Sequence, residues 1–384
     1  RSGLYFLLKA LDKKKAKYVV LPSYNCVVMA HSIIKAGYKP IFLDSHKGSF
    51  QPSFNDFIDT INRYGDEIAM IIPTHLFGIT EETKLLYEYF KKSHPSVFVL
   101  QDCAHGFFCK GTDECLAIEY SDGALFGMNI SKLVNSVKGG MLTVNNTALA
   151  TKIENLHKAE SRQNYQIMQS ILARLYVIAT YFAFKPYLYN LTFWLQKNTT
   201  ILSAQTDYYK EDAISLPPDY SGRMCNFEAT IGLSSLNRYY GRIAVRQKIA
   251  ARYKQILSNE LYKKNFTHPE FKNGNTWSHY PVLCANPYLK EHLKSILKDR
   301  GFEIGEIVDY SIADMNCYKQ LGYSSTPRAK NIAELIINFP LTLYENNDGT
   351  TLLKHSKNID KFENAFKFAM KEYFLAINVS NKTG

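Results

Sequence analysis

The sequence predicts an α/β fold, in which a large three-layer α/β/α domain with a mostly parallel sheet precedes a smaller C-terminal α+β domain. From residue 1 to residue 145, short apolar runs alternate with stretches of helical spacing, the pattern of parallel strands joined by helices. Beyond residue 223 this rhythm gives way to long helical stretches with few strands. Because 384 residues exceed what one core usually holds, we divide the chain into residues 1–245 and 246–384.

The strands and helices of the large domain are expected in regular order along the chain. Apolar or β-branched runs predict strands, and the stretches between them, with apolar residues every three or four positions, predict helices. The strands are expected at 18–21, 40–43, 68–73 and 96–100, and the helices at 27–36, 54–62 and 84–92. Ligands bind at the carboxyl ends of parallel strands, so the polar residues 22–25, 73–75 and 101–103 are expected near a site.

The middle of the chain, about 160–215, is expected to be an aromatic-rich helical insertion. Within it, residues 171–195 are largely apolar or aromatic but are interrupted by Arg174, Lys185 and Pro186. The longest uncharged run, 175–184, is half of the ~20 residues that a membrane-spanning helix needs. Two alternatives remain open for 171–195: a helical hairpin buried against another domain or subunit, and a peripheral contact with a membrane surface.

The last third of the chain predicts the smaller domain. Residues 223–257 have the pattern of one long helix, and 279–283 that of a strand. Two further helices are expected at 288–300 and 360–373. Strand and helices in this order are typical of an α+β arrangement.

Composition and charge restrict the class of function only weakly. With 46% apolar and 21% charged residues, the chain has an ordinary globular composition. Its net charge of +11 suits nucleic acid or small anionic substrates. No basic block or nucleic-acid motif is present in the sequence, so we expect no nucleic-acid partner.

The cysteines indicate a reducing compartment. Their number, seven, is odd and their spacing is unpaired, which is typical of reduced thiols in a cytoplasmic protein. Cys103, His105 and Cys109 could be metal ligands, but a fourth ligand at standard spacing is missing, so we expect no metal. The sequence opens at Arg1 without an initiator methionine, which suggests that a segment precedes it.

Three segments carry residues suited to chemistry with a phosphorylated aldehyde cofactor. The helix expected at 4–11 begins with Ser2 and Gly3, and free backbone N–H groups at such a start can bind phosphate. Asp102 follows an apolar strand, where it would pair with a protonated pyridine nitrogen or simply cap a helix. Lys132, after the next apolar strand, could form an imine with the aldehyde; the alternative is a solvated surface lysine.

The order of these segments resembles the DegT/DnrJ/StrS family of sugar aminotransferases. The likeness covers nearly the whole chain, and it lies in the succession of motifs rather than in any one of them. The motifs are Leu21-Pro-Ser-Tyr-Asn-Cys26, Ala36-Gly-Tyr-Lys-Pro-Ile-Phe-Leu-Asp44, Pro73-Thr-His-Leu-Phe-Gly78, Gln101-Asp-Cys-Ala-His105, Ser131-Lys132, Gly139-Gly140 and Arg223-Met224. This resemblance implies a fold-type-I architecture and pyridoxal 5'-phosphate (PLP), alternating with its pyridoxamine form (PMP), as the cofactor.

The resemblance also implies roles for individual residues. Lys132 matches the lysine that holds the cofactor as a Schiff base and shuttles the proton, and Asp102 matches the partner of the pyridine nitrogen. His105 matches the residue that contacts the phenolic oxygen of the ring. The phosphate contacts match the helix start at Ser2, Gly3 and Leu4, and the stretch from Asn129 to Ser131.

Several positions depart from the family pattern. Gly127 replaces the usual phosphate-binding serine, for which Asn129 or Ser131 could substitute. Cys26 replaces the aromatic residue that stacks on the cofactor ring, although Tyr24 is near in sequence. Lys138 replaces a glutamate and is a rival for the Schiff base. Ser221 replaces the asparagine that reaches the cofactor of the partner subunit.

The function implied by the resemblance is transamination of a nucleotide-linked keto-sugar, with glutamate as donor, in the synthesis of surface polysaccharide or another glycan. Sites shared between subunits imply a homodimer. One alternative is a PLP-dependent sugar dehydratase, but those relatives carry histidine where this chain has Lys132. Another is a non-catalytic relative that binds a sugar nucleotide or a protein partner, which the changes at Gly127, Cys26 and Ser221 motivate.

Overall fold

The fold is built on one six-stranded sheet and one three-stranded sheet. The computed structural model describes residues 1–11, 16–80, 82–111, 114–161, 166–183, 212–217, 220–302, 304–341 and 351–383. The large sheet contains β1 (Tyr18–Pro22), β2 (Lys39–Leu43), β3 (Ile68–Ile71), β4 (Phe98–Asp102), β5 (Gly123–Gly127) and β6 (Gly140–Val144). Its order is β2-β1-β3-β4-β5-β6, with β6 alone antiparallel to its neighbour. The predicted mostly parallel sheet is confirmed.

Helices cover both faces of this sheet because successive strand residues point to opposite sides. On one face pack α1 (Ser2–Leu11) and α2 (Val27–Lys35), and on the other α3 (Phe54–Tyr64) and α4 (Thr83–Ser93). In β1, Val19 and Leu21 join the first core and Val20 joins the second. The three-layer α/β/α architecture is therefore confirmed, with element ends within a few residues of those predicted.

The helical insertion is described only in part. After β6 come α5 (Thr147–Glu160) and α6 (Gln166–Ala183), and the rest of the 171–195 segment lies outside the described residues. On α6, a stripe of apolar side chains at helical spacing is between 45% and 56% exposed in this single chain: Met168, Ile171, Leu172, Leu175, Ile178 and Phe182. Among the helices the structure describes, none combines the length and the apolar character needed to cross a bilayer.

The region predicted as one long helix at 223–257 forms two. They are α7 (Asn226–Asn237) and α8 (Tyr239–Leu257), and the helical geometry is interrupted at Arg238. Ile243 of α8 packs with Phe107 and Phe126 of the large domain, whereas Ile249 packs into the C-terminal core. The proposed boundary at 245/246 thus falls inside α8, where the packing partners change; the division into two domains stays a prediction.

The C-terminal part has an antiparallel sheet covered by helices, as the α+β pattern predicts. Its strands are β7 (Phe266–Thr267), β8 (Tyr280–Cys284) and β9 (Ile336–Phe339), in the order β7-β8-β9. The helices that follow α8 are α9 (Pro287–Asp299), α10 (Asn316–Lys319), α11 (Pro327–Leu335) and α12 (Thr351–Thr383). The core of this part also receives Tyr24, Leu76 and Phe77 from loops of the large sheet, so the two parts share buried contacts.

Candidate active site

A cleft of about 1350 Å³ opens at the carboxyl edge of the large sheet. The ends of β1, β3, β4 and β5 supply Asn25, Thr74, Asp102 and Gly127 to its wall, and the loop after β5 supplies Lys132. Four parallel strands end here, so side chains far apart in sequence meet at one edge. The cleft exceeds the 300–1,000 Å³ of a usual small-molecule pocket, which leaves room for a cofactor and a second ligand.

Asp102 is a buried carboxylate at the last position of β4. It is 3% exposed, and its Oδ1 accepts a hydrogen bond from the backbone N–H of Ala104 at 3.0 Å. Burial raises the pKa of Asp102, while the Ala104 N–H, the charge of Lys132 and the Asn25 amide act in the opposite direction. A carboxylate held in this way favours a cationic group beside it in the cleft.

Lys132 lies in the same cleft as Asp102, at the end of a tight turn. Its backbone N–H donates to the Asn129 carbonyl at 3.0 Å. Burial lowers the pKa of Lys132, and the neighbouring Asp102 and Cys26 raise it in part. A lowered pKa increases the fraction of neutral amine, which is the form that attacks a carbonyl carbon.

Gly127 leaves room for the Lys132 side chain. A Cβ atom at position 127 would lie 3.2 Å from Lys132 Cε, 3.2 Å from Ala104 Cβ and 3.4 Å from the Ala104 carbonyl oxygen. A Cβ atom here would require its neighbours to shift by a few tenths of an ångström, so the glycine gives the lysine side chain additional room.

His105 lines the cleft and its ring is held neutral. Burial lowers the pKa of its ring well below the ordinary value, and the charge of Lys132 and the neighbouring His279 act in the same direction. Its ring lies 5.5 Å from that of His279 and 6.2 Å from that of Phe77. A neutral imidazole can donate one hydrogen bond to an oxygen anion without adding a second positive charge beside Lys132.

The start of α1 lies at one wall of the cleft, where Ser2 and Gly3 are exposed to it. The first N–H groups of a helix have no partner within the helix, and in α1 the Tyr5 N–H donates to the Arg1 carbonyl at 3.0 Å. Such a helix start suits a phosphate group. The Leu4 side chain is fully buried in the core and does not line the cleft.

Asn129, Ser131 and Cys26 also line the cleft. Asn129 Oδ1 accepts hydrogen bonds from the Ser131 hydroxyl at 2.8 Å and the Ser131 N–H at 3.2 Å. The asparagine oxygen therefore stabilises the turn that precedes Lys132. Cys26 lies just before α2, close enough to Lys132 to influence the amine's pKa.

The structure does not bring three of the sequence-predicted residues to the cleft wall: Leu4, Tyr24 and Ser221. Tyr24 is fully buried in the C-terminal core, and its hydroxyl donates to the Val308 carbonyl at 2.8 Å. The Ser221 carbonyl lies 3.0 Å from His157 Nε2, and Ser221 is absent from the cleft wall, although Tyr220 and Gly222 belong to it. Within the described residues, neither Tyr24 nor Ser221 makes a contact that supports a role at the cofactor site of the same chain.

Replacing Tyr24 with phenylalanine should therefore affect stability and not the cofactor. Loss of the hydroxyl leaves the buried Val308 carbonyl without its donor, which costs about 1–3 kcal/mol of unfolding free energy. The measurement is urea unfolding of Y24F and wild type, with the absorption of the bound cofactor recorded for both. If Y24F changes the cofactor spectrum and leaves the free energy of unfolding unchanged, Tyr24 acts at the cofactor site and this prediction is wrong.

Some residues near the site were not assigned from sequence. Asn25 and Thr74 line the cleft, and Asn25 Nδ2 donates to Thr74 Oγ1 at 3.0 Å. Both residues belong to the polar strand ends that the sequence predicts near a site. Their position is therefore predictable, but the hydrogen bond between them is not. His279 comes from the C-terminal part of the chain, and no local pattern points to it. Tyr176 of α6 lines the mouth, and its ring centroid is 5.7 Å from Lys138 Nζ.

Comparison with known proteins agrees with this geometry. Residues 2–351 match the DegT/DnrJ/EryC1/StrS aminotransferase family. The chain is 23% identical to GDP-perosamine synthase of Escherichia coli O157:H7 over 345 residues, covering 88% of this chain and 77% of that protein. It is 24% identical to the dTDP-4-amino-4,6-dideoxy-D-glucose transaminase of Shigella dysenteriae over 344 residues, covering 88% and 79%.

A solved structure gives the same result for the fold. The aminotransferase TlmJ from Streptoalloteichus hindustanus superposes with a TM-score of 0.69 at 16% identity, covering 97% of this chain and 84% of that one. The cleft also fits a PLP group chemically, because a buried carboxylate, a lysine of lowered pKa and a helix start border one cavity. The chain belongs to the DegT/DnrJ/EryC1/StrS aminotransferase family, and it is an aminotransferase whose cofactor is pyridoxal phosphate.

Proposed function

We propose that this aminotransferase converts a nucleotide-linked keto-sugar to an amino sugar, with glutamate as donor, for the synthesis of a glycan such as surface polysaccharide. The observation that carries the proposal is the meeting of Lys132 and Asp102 in one large cleft at the carboxyl edge of the sheet. Two relatives are named for nucleotide-linked amino sugars, which supports this substrate class.

In this proposal each residue has a separate task at the cofactor. PLP, when bound, supplies an electron sink for the bond broken at the amino-acid carbon. Lys132 would hold the cofactor through its amine, and the same amine would accept and return a proton at Nζ. Asp102 would stabilise the protonated form of the ring nitrogen, and His105 would donate a hydrogen bond to the phenolic oxygen. The α1 start at Ser2, Gly3 and Leu4 holds the phosphate.

The mouth of the cleft supports an anionic second substrate. Lys138 and Arg223 both line it, and Lys138 lies over the Tyr176 ring of α6. Two cations next to an aromatic ring suit a nucleoside diphosphate, which offers two phosphates and a flat base. We assign Lys138 to substrate binding rather than to the covalent bond, because Lys132 is the lysine whose amine is electrostatically coupled to Asp102.

We also infer a homodimer located in the cytoplasm. The family's shared sites motivate the dimer, and the exposed apolar stripe of α6 is compatible with a subunit contact or with a peripheral membrane contact through 171–195. The free cysteines, which include five buried ones in the described chain, are consistent with a reducing compartment. Sedimentation of the protein with and without phospholipid vesicles distinguishes a subunit contact of the stripe from a membrane contact.

The substrate proposal is tested with a panel of nucleotide-linked keto-sugars and glutamate labelled in its amino nitrogen. We expect the label to appear in the sugar product, detected by mass spectrometry, for at least one member of the panel. K138M should raise the KM for that sugar by roughly tenfold, the equivalent of about 1.4 kcal/mol, and change kcat little. If the protein binds a sugar nucleotide but transfers the labelled nitrogen to no sugar of the panel, the non-catalytic alternative is favoured.

A further inference from the structure

Three buried side chains meet beneath the floor of the cleft: His75, Cys103 and Cys109. One ring nitrogen and two sulfur atoms, one from each residue, all lie within 4.8 Å of one another. His75 is 3% exposed and each cysteine 1%. None of the three belongs to the cleft wall, although their neighbours Thr74, Asp102 and Ala104 do. The cluster is therefore separate from the cofactor site and directly behind it.

The backbone holds the three residues in place. The His75 N–H donates to the Asp102 carbonyl at 3.0 Å, which ties the end of β3 to the end of β4. Between the cysteines the chain turns twice, with Gly106 N–H donating to the Cys103 carbonyl and Cys109 N–H to the Gly106 carbonyl. A Cβ atom at Gly106 would lie 2.6 Å from His75 Cβ and 2.7 Å from Cys109 Sγ, so only glycine lets the turn close over the cluster.

The hydrogen bonds around His75 leave one ring nitrogen as a ligand. His75 Nε2 lies 3.0 Å from Gln101 Oε1, and Gln101 Nε2 donates to the Tyr120 carbonyl at 2.8 Å. The Tyr120 bond orients the amide so that its oxygen faces His75, which places the ring proton on Nε2 and the lone pair on Nδ1. Burial lowers the pKa of His75 to about 4, so the ring is neutral at physiological pH. A ligating histidine commonly has its second nitrogen bonded in this way.

Two thiolates and one neutral imidazole form a donor set selective for soft or borderline metal ions. We propose that His75, Cys103 and Cys109 bind one thiophilic metal ion, Zn²⁺, with water in the fourth position. Within the described chain no further His, Cys, Asp or Glu side chain joins the cluster. Binding releases the two thiol protons to solvent, and the resulting centre of one divalent cation and two thiolates is neutral, which limits the cost of burying it.

The ion would act as a cross-link behind the cofactor site. It joins the end of β3 to the loop that follows β4, and these segments carry Thr74, Asp102 and His105. His75 also borders a second cavity of about 150 Å³. Sequence spacing suggests His105 as the third ligand. In the structure, however, the His105 ring packs near His279 and Phe77. The histidine that lies beside the two cysteines is His75.

The test uses the full chain, reduced and saturated with PLP. Titration with Zn²⁺ followed by desalting and elemental analysis should give one ion per chain, and Cd²⁺ should add the ultraviolet absorption of metal–thiolate bonds. C103S and C109S should lose both signals. C284S is the matched control, because Cys284 is also buried and free but lies in β8, and it should bind like wild type. Q101L, which removes the Gln101 acceptor, should weaken Zn²⁺ affinity by roughly 10–100-fold.

A measurement on the unaltered protein covers the case in which a cysteine variant does not fold. Bound Zn²⁺ should slow alkylation of Cys103 and Cys109 and leave that of Cys284 unchanged, as measured by peptide mass spectrometry. The proposal is overturned if the reduced protein retains no metal, or if all three serine variants bind equally. It is also overturned if a Cys103–Cys109 disulfide forms and Zn²⁺ does not protect the reduced pair.

Discussion

Replacing Lys132 with alanine should abolish the visible absorption of the cofactor-bound protein and lower the transamination rate by at least ~10³-fold. The absorption depends on a covalent bond between the cofactor aldehyde and a lysine amine, and Lys132 is the lysine of the cleft whose amine interacts electrostatically with Asp102. Loss of the same amine removes the group that moves the proton, which alone accounts for roughly 10²–10⁴-fold in rate. The measurements are an absorption scan after incubation with PLP and single-turnover kinetics with glutamate.

The matched control is Lys138→Ala. Lys138 lies in the same cleft six positions along the chain, and it is the alternative candidate for the covalent bond. K138A should keep the cofactor absorption, because its amine is directed to Tyr176. If K138A loses the band and K132A keeps it, the assignment of the two lysines is reversed and the proposed roles at the cleft are wrong.

Replacing Asp102 with asparagine should lower the rate by roughly 10²–10³-fold and leave the fold intact. A neutral amide cannot stabilise a protonated ring nitrogen, so the cofactor becomes a weaker electron sink. The asparagine oxygen can still accept the Ala104 N–H bond that Asp102 accepts at 3.0 Å. Because burial disfavours the charge at this position, D102N should unfold at the same temperature as wild type or a higher one.

The exposed Asp299 at the end of α9 provides the comparison for this substitution. D299N makes the same chemical change outside the cleft and should alter neither the rate nor the cofactor spectrum. Rate constants for half-reactions with glutamate, together with thermal unfolding, distinguish a chemical effect from a structural one. A D102N enzyme with wild-type kcat would exclude the proposed pairing of this carboxylate with the cofactor ring.

The order of strands and helices could be predicted because their periodicity is local. Residues 18–21 and 96–100 are apolar runs of strand length, and the sheet contains β1 and β4 at these positions. The break at Arg238 could not be predicted, because apolar residues continue at helical spacing on both sides of it. The continuous pattern therefore predicts one helix.

The candidate site was predictable to the extent that it lies at strand ends. Asp102 ends one apolar strand and Lys132 follows the next, and these two strands are parallel neighbours, so the common edge follows from the strand order. Tyr24 shows the limit of this argument. It follows β1 just as Asn25 does, but its ring packs against Phe77 in the core while Asn25 faces the cleft.

The sequence by itself determined the α/β class, the family, and the positions of the lysine and the carboxylate, because each depends on local periodicity or on motifs of adjacent residues. Tertiary structure decided which side chains share a space: His279 beside His105, Tyr176 beside Lys138, and His75 beside Cys103 and Cys109. These pairs are separated by between 28 and 174 positions, and long-range packing, which no local pattern encodes, brings them together.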